Sequence, residues 1–139
     1  MPEVQIEQIR FDLTWRIRHD VMYPDLPFDA IKLENDPNGI HFGLYTNDQL
    51  IAVVSLFNVG PVYQFRKFAT RVGAQGKGYG TLLLKHVISY VTDTGAEKLW
   101  CNARISASAF YSKFGFKETD QHSQSNGIDF VIMELQLNN

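Results

Sequence analysis

At 139 residues, with 45% hydrophobic and 20% charged side chains, the chain has the size and composition of one compact domain, long enough to bury roughly 68% of the surface its unfolded form exposes. The net charge of −2 speaks against a nucleic-acid binder, and the longest apolar stretch, "IAVVSLF", is far too short to cross a bilayer. "MPEVQIEQIR" has no apolar core and does not read as a signal peptide, while the lone Cys101 excludes an intrachain disulfide and suits a reducing cytoplasm.

Val4, Ile6 and Ile9 in "VQIEQIR" mark a first strand. A helical region follows around "LTWRIRHDVM", where Leu13, Ile17 and Val21 recur every four residues. The next segment, "YPDLPFDAIKLENDPNG", is long and irregular, punctuated by Pro24, Pro27, Pro37 and Gly39. Loops of this length in a compact domain are often functional. "IHFGLYT" and "QLIAVVSLF" read as a hairpin joined through Asn47-Asp48, and "VYQFRKFAT" as the next strand. "GYGTLLLKHVISYVTDTG" is an amphipathic helix with Tyr79, Leu83, Val87 and Val91 on one face, Leu84 and Ile88 widening it, and Gly95 as its stop. "EKLWCNA" is a strand, and "SASAFYSKF" a short helix with Ser106 as N-cap and Gly115 as stop. "FKETD" and "FVIMELQL" complete the set, separated by the polar loop "QHSQSNGID". Adjacent strands followed by a strand–helix–strand unit predict a mixed α/β fold with a largely antiparallel sheet and one parallel junction.

The stretch "QGKGYG", Gln75 to Gly80, places glycine at every second position where a helix begins. It lies in the one block free of carboxylates: residues 1–48 carry −5, residues 49–92 carry +5 through Arg66, Lys67, Arg71, Lys77 and Lys85, and the rest carries −2. Buried strands lacking acids would give the same pattern, but an anionic ligand explains it better. A dinucleotide fingerprint from Gly76 fails at Thr81, and a P-loop from Gly73 fails at Tyr79 and Gly80. What survives is the physics those motifs share. The first N–H groups of a helix lack intrahelical partners and attract anions, and glycines let a ligand approach them. Lys77 and Arg71 would add mobile charge at the rim. A glycine turn serving the fold alone is the competing reading.

"QGKGYG" resembles the Q/R-x-x-G-x-G/A motif of the GNAT superfamily of acyl-CoA-dependent N-acetyltransferases. The likeness includes the preceding "FAT", the following helix "LLLKHVISYV", and "AFYSKFGF", similar to the family's A-x-x-F-Y-x-x-x-G-F ending. The element order fits nearly the whole chain, so the resemblance implies a single N-acetyltransferase domain over residues 1–139. That fold has about seven strands, with a splayed parallel junction, and about four flanking helices. "IRHDVM" and His41 look similar to a small bacterial subgroup of uncharacterised acetyltransferases. The resemblance implies that Phe68, Ala69 and Thr70 offer backbone groups to the pantetheine arm of acetyl-CoA. Gln75, Gly76, Lys77, Gly78, Tyr79, Gly80 and Thr81 would hold the pyrophosphate, and the acetyl group would sit near Phe68 and residues 100–102. Tyr111, beside Phe110, falls at the position of the family's general acid, and a phenol with an ordinary pKa of about 10 holds its proton at neutral pH. A packed aromatic is the alternative for Tyr111. Arg104 fills the slot of a family Asn, with Asn102 two residues back on the same strand face, and either would reach the pantetheine or the 3′-phosphate.

Many relatives carry a Glu on the strand before the glycine motif, and "VYQFRKFAT" has none. Glu34, Asp36 and His41, or a water chain, are the candidates for a base, against a solvated loop for the two acids and a structural role for the histidine, and no base is assigned. His19, His86 and His122 show no ligand spacing for a metal. The expected partners are acetyl-CoA and a small amine or peptide lysine, a cationic amine by the charge of residues 1–48, with no nucleic acid or membrane. Homodimerisation through the last strands is common in the family. Two other classes compete with the enzyme: a non-catalytic acyl-CoA-binding sensor or regulatory module, and a domain with no acyl-CoA ligand.

Overall fold

The computed structural model describes residues 3–137; residues 1–2 and 138–139 of the expected domain lie outside them. Among the described residues seven strands form one mixed sheet: β1 (Val4–Ile9), β2 (Ile40–Thr46), β3 (Gln49–Val59), β4 (Val62–Thr70), β5 (Lys98–Arg104), β6 (Lys117–Ser125) and β7 (Ile128–Gln136), in the order β1-β2-β3-β4-β5-β7-β6. The α-helices among the described residues are α1 (Trp15–Ile17), α2 (Tyr79–Asp93) and α3 (Ser108–Ser112), three where about four were expected. The expected mixed class, mostly antiparallel with one parallel pair, is the one that forms. The chain divides into two compact units: residues up to Phe57 with Phe65–Ser89, and Asn58–Gln64 with the chain from Tyr90 onward.

In the first unit, β1, β2 and β3 form an antiparallel meander. The β2–β3 turn works because Asn47 (φ 50) and Asp48 (φ 66) both tolerate left-handed backbone, which matches the twist of the strands. Residues 51–56 of β3 are all buried, as befits a strand covered on both faces. Against this sheet α2 buries Leu83, Leu84 and Val87. The expected helix over residues 13–22 is a composite: a 3-10 turn (Phe11–Thr14), α1, and a wide π turn (Arg18–Met22). A 3-10 turn advances three residues per turn rather than 3.6, which carries Leu13 off the core-facing stripe. Leu13 is accordingly 42% exposed while Ile17 is buried. The long loop contains two further 3-10 turns, Phe28–Ile31 and Asp36–Asn38.

In the second unit, β4 and β5 pair in parallel over three positions, Val62↔Lys98, Tyr63↔Leu99 and Gln64↔Trp100. Gly95 (φ +81) terminates α2 as expected: its N–H donates to Thr92 C=O (3.0 Å) and Ala96 N–H to Val91 C=O (3.2 Å). Leu99, Cys101 and Ala103 face inward from β5, and Val131 and Met133 from β7. Two expectations are corrected here. Ser106 does not cap α3; it lies inside a 3-10 turn (Ile105–Ala107), and the residue at the cap is Ala107, with no side-chain bond. The polar segment "QHSQSNGID" is not a loop either. Most of it is strand, and only Asn126 (φ 51) and Gly127 (φ +77) turn the corner between β6 and β7.

Candidate active site

The glycine motif belongs to the first unit. At the end of β4, Phe68 and Thr70 are half-buried and Ala69 is buried. One residue earlier Lys67 has φ +57, a left-handed backbone that a non-glycine residue adopts inside a strand only when its surroundings impose it. Its ammonium donates to Tyr23 Oη at 2.7 Å. After β4 the chain is braced from several directions. Arg71 N–H donates to Ile51 C=O (2.8 Å) and Arg71 Nε to Leu50 C=O (3.0 Å), so this side chain is anchored rather than a mobile rim charge. Gln75 Nε2 donates back to Thr70 C=O at 2.9 Å, which closes the loop on itself.

Gly76 (φ +77) and Gly78 (φ +86) both adopt left-handed backbone, and a Cβ added to either would meet no protein atom within 4 Å. Dihedral demand, not crowding by the protein, is why glycine stands there. The first hydrogen bond of α2 runs from Leu82 N–H to Gly78 C=O (3.2 Å). The N–H groups of Tyr79, Gly80 and Thr81 therefore precede the helical ladder and are available to an external acceptor. Lys77 is exposed beside them.

The second unit holds the other expected site residues. Asn102 and Arg104 are exposed on β5, alternating with buried Cys101 and Ala103. Phe110 and Tyr111 lie in α3, and the Tyr111 ring packs edge-on against both Phe110 (5.3 Å between centroids) and Phe116 (5.9 Å). Burial, and then the neighbouring Cys101, push the Tyr111 hydroxyl well above its ordinary value. Burial pushes the Cys101 thiol up to about 12. Both groups keep their protons at physiological pH.

The family model of the acetyltransferase (GNAT) domain matches residues 19–137. This chain belongs to the GNAT acetyltransferase family. It is 27% identical to the uncharacterized N-acetyltransferase YitI of Bacillus subtilis over 94% of each chain. It is 29% identical to the [ribosomal protein bS18]-alanine N-acetyltransferase of Haemophilus influenzae, over 84% of this chain and 81% of that one. The fold superposes on the crystal structure of the ribosomal-protein-S18-alanine N-acetyltransferase of Escherichia coli with a TM-score of 0.81 at 20% identity, covering 99% of this chain and 96% of that one. GNAT enzymes use acetyl-CoA as co-substrate, and the left-handed glycine turn opening α2 has the amide supply and the clear space that a diphosphate needs.

Two of the three candidate bases turn out to be parts of one buried polar network in the first unit. Arg18 and Asp36 are both fully buried. Arg18 Nη1 and Nη2 donate to the two Asp36 carboxylate oxygens (2.8 and 3.2 Å), Nη1 also to Ile31 C=O (3.0 Å) and Nη2 to Ser55 Oγ (2.9 Å). Trp15 Nε1 (3.0 Å) and Leu33 N–H (2.9 Å) add two further donors to Asp36. Asp36 is thus no solvated loop acid. Burial alone would raise its pKa, but the bonds from Arg18, Leu33 and Trp15 together hold it below the ordinary value. His41 Nε2 faces Asp36 C=O (2.9 Å), an acceptor only, so this nitrogen carries the proton. His41 Nδ1 then accepts from the Ser55 hydroxyl (2.7 Å). Glu34 remains exposed. The sequence reading missed this network and the Lys67 backbone.

A pH dependence of stability follows. Burial lowers the His41 pKa, the Arg18 charge adds to this, and the Asp36 carbonyl and carboxylate oppose it without prevailing. The unfolded chain then binds a proton near pH 6.5 that the folded chain refuses, so stability is full above that pH and is lost as pH falls below it. Chemical denaturation between pH 7.5 and 5 is expected to show a slope approaching about 1.4 kcal/mol per pH unit. His41→Gln should flatten that slope, whatever its effect at pH 7.5.

Proposed function

We propose that residues 1–139 act as one cytoplasmic N-acetyltransferase domain that moves an acetyl group from acetyl-CoA to a primary amine by direct attack on the thioester, with Tyr111 as proton donor to the CoA thiolate. The observation that carries the reading is the pair of left-handed glycines, Gly76 and Gly78, opening α2 with unladdered amides. In this reading residues 75–81 hold the diphosphate, Phe68, Ala69 and Thr70 offer backbone groups to the pantetheine arm, and Asn102, Arg104 and Phe110 are further donor-binding residues. The neutrality of Cys101 supports direct attack, since a buried thiol with a pKa of about 12 supplies no thiolate to carry the acetyl group.

The test is thiol release from acetyl-CoA with a panel of amines, run on wild type and Gly78→Val. Valine at φ +86 is strained by about 1–3 kcal/mol, and its side chain points into the space that the diphosphate would fill. The KM for acetyl-CoA should rise by at least about tenfold, with the KM for the amine little changed. CoA binding without amine-dependent thiol release would favour a non-catalytic acyl-CoA sensor instead. A Gly78→Val enzyme that bound CoA as wild type does would remove the diphosphate assignment.

A further inference from the structure

We propose that an open groove in the first unit, lined by Leu33, Glu34, Asn35, Asn38 and Arg66 with a volume of ≈ 500 Å³, is the acceptor groove and selects amines that also carry a carboxylate, the amino-acid class. This rests on the acetyltransferase reading above. It narrows the cationic amine suggested by the charge of residues 1–48 to one that also carries a carboxylate, because the groove sets a cation, Arg66, opposite the acid of that block, Glu34.

Glu34 and Arg66 line one space, and neither side chain forms a hydrogen bond or ion pair with another described residue. One unspent carboxylate and one unspent guanidinium match an amino acid: the Glu34 carboxylate accepts a hydrogen bond from the amino group that attacks as the free amine, and the guanidinium fork takes the acceptor's carboxylate with two parallel hydrogen bonds. Leu33 supplies an apolar surface for a side chain.

The groove is also built to hold its shape. Its loop is laced around Asp36: Leu33 N–H donates to the carboxylate, Asp36 N–H to Leu33 C=O (3.0 Å), Asn38 N–H to Asn35 C=O (3.0 Å) and Gly39 N–H to Asp36 C=O (3.0 Å). The buried Arg18–Asp36 pair fixes that knot to the body of the unit, and Gly39 lets the chain pass where a Cβ would lie 2.5 Å from the Phe57 ring. Arg66 stands next to Lys67, whose backbone is left-handed within β4. Rigid placement of Glu34 against a strand residue lets opposite charges discriminate among ligands rather than adapt to them.

The experiment compares L-leucine, leucinamide and 3-methylbutylamine, which share a side chain and differ in carrying a carboxylate, a neutral amide or neither. Values of kcat/KM are corrected for the free-amine fraction, and leucine binding is measured by calorimetry in the presence of CoA. Wild type should favour leucine over 3-methylbutylamine by about 30-fold or more, the range of one hydrogen-bonded charge pair. Arg66→Gln should bring the ratio within about threefold by lowering leucine alone, whereas Glu34→Gln should lower all three amines. A leucine preference unchanged in Arg66→Gln, a wild-type preference for 3-methylbutylamine, or no leucine binding would each overturn the assignment. Leucine binding that depends on Arg66 without acetyl transfer to any amine would keep the groove and sink the catalytic reading.

Discussion

Asp36→Asn is expected to destabilise the fold by about 3–5 kcal/mol, read as a lower urea midpoint at constant m-value, because it strands a buried cation. Arg18 is fully buried, and its Nε already lacks an acceptor among the described residues. Both Nη groups depend on Asp36 for charge compensation, and the remaining partners, Ile31 C=O and Ser55 Oγ, are neutral. An asparagine keeps the shape and one acceptor oxygen but removes the negative charge. The guanidinium must then stay buried unpaired or pull Trp15, Leu33 and the 33–39 loop apart to reach water. A loss below about 1 kcal/mol would mean that Arg18 escapes to solvent cheaply, contrary to its packing.

Arg18→Met with Asp36→Leu separates stability from positioning. Replacing both members of a buried ion pair by apolar groups is often close to neutral, so the double variant should recover most of the lost stability. It should not recover the amino-acid acceptor, because Leu33 N–H loses the carboxylate that ties the loop. The expected outcome is a near-normal urea midpoint with a raised KM for leucine and an unchanged KM for acetyl-CoA.

How much of this was legible in the sequence depends on the range of the interaction that decides each feature. α2 and its glycine entrance were readable because period, stop signal and left-handed turn all lie within about 20 residues. The β2–β3 hairpin was readable for the same reason. β6 was readable only in its first half, "FKETD"; residues 121–125 were not, since they are all exposed and carry no alternation, and pairing with β7 makes them strand. Its one local signal, Asn126-Gly127, was present and was absorbed into a supposed loop. The Arg18–Asp36 pair joins residues 18 apart through tertiary packing, and a charged residue in a helical or loop segment gives no sign that it will be buried. Lys67 illustrates the same limit. No propensity puts a lysine in left-handed backbone within a strand, so the feature exists only because the fold demands it.

Tyr111→Phe is expected to lower kcat by about 10²-fold or more while the Kd for CoA stays within about twofold, the signature of a lost proton donor rather than a lost binding contact. Phenylalanine keeps the ring that packs against Phe110 and Phe116, so the fold should survive. The raised pKa of Tyr111 cuts two ways. It keeps the hydroxyl protonated over the whole working range, which an acid requires, and it makes complete proton loss more costly. The hydroxyl should therefore act first by donating a hydrogen bond to the thiolate as charge develops, with transfer completing as the thiol leaves. In wild type, kcat/KM should rise with pH as the acceptor amine loses its proton and show no alkaline decline up to about pH 9.5, because Tyr111 does not ionise there. An alkaline decline below that pH that vanished in Tyr111→Phe would mean the phenol ionises in the ordinary range, and the burial argument for its acidity would then be wrong. A kcat within threefold of wild type would return Tyr111 to the role of a packed aromatic.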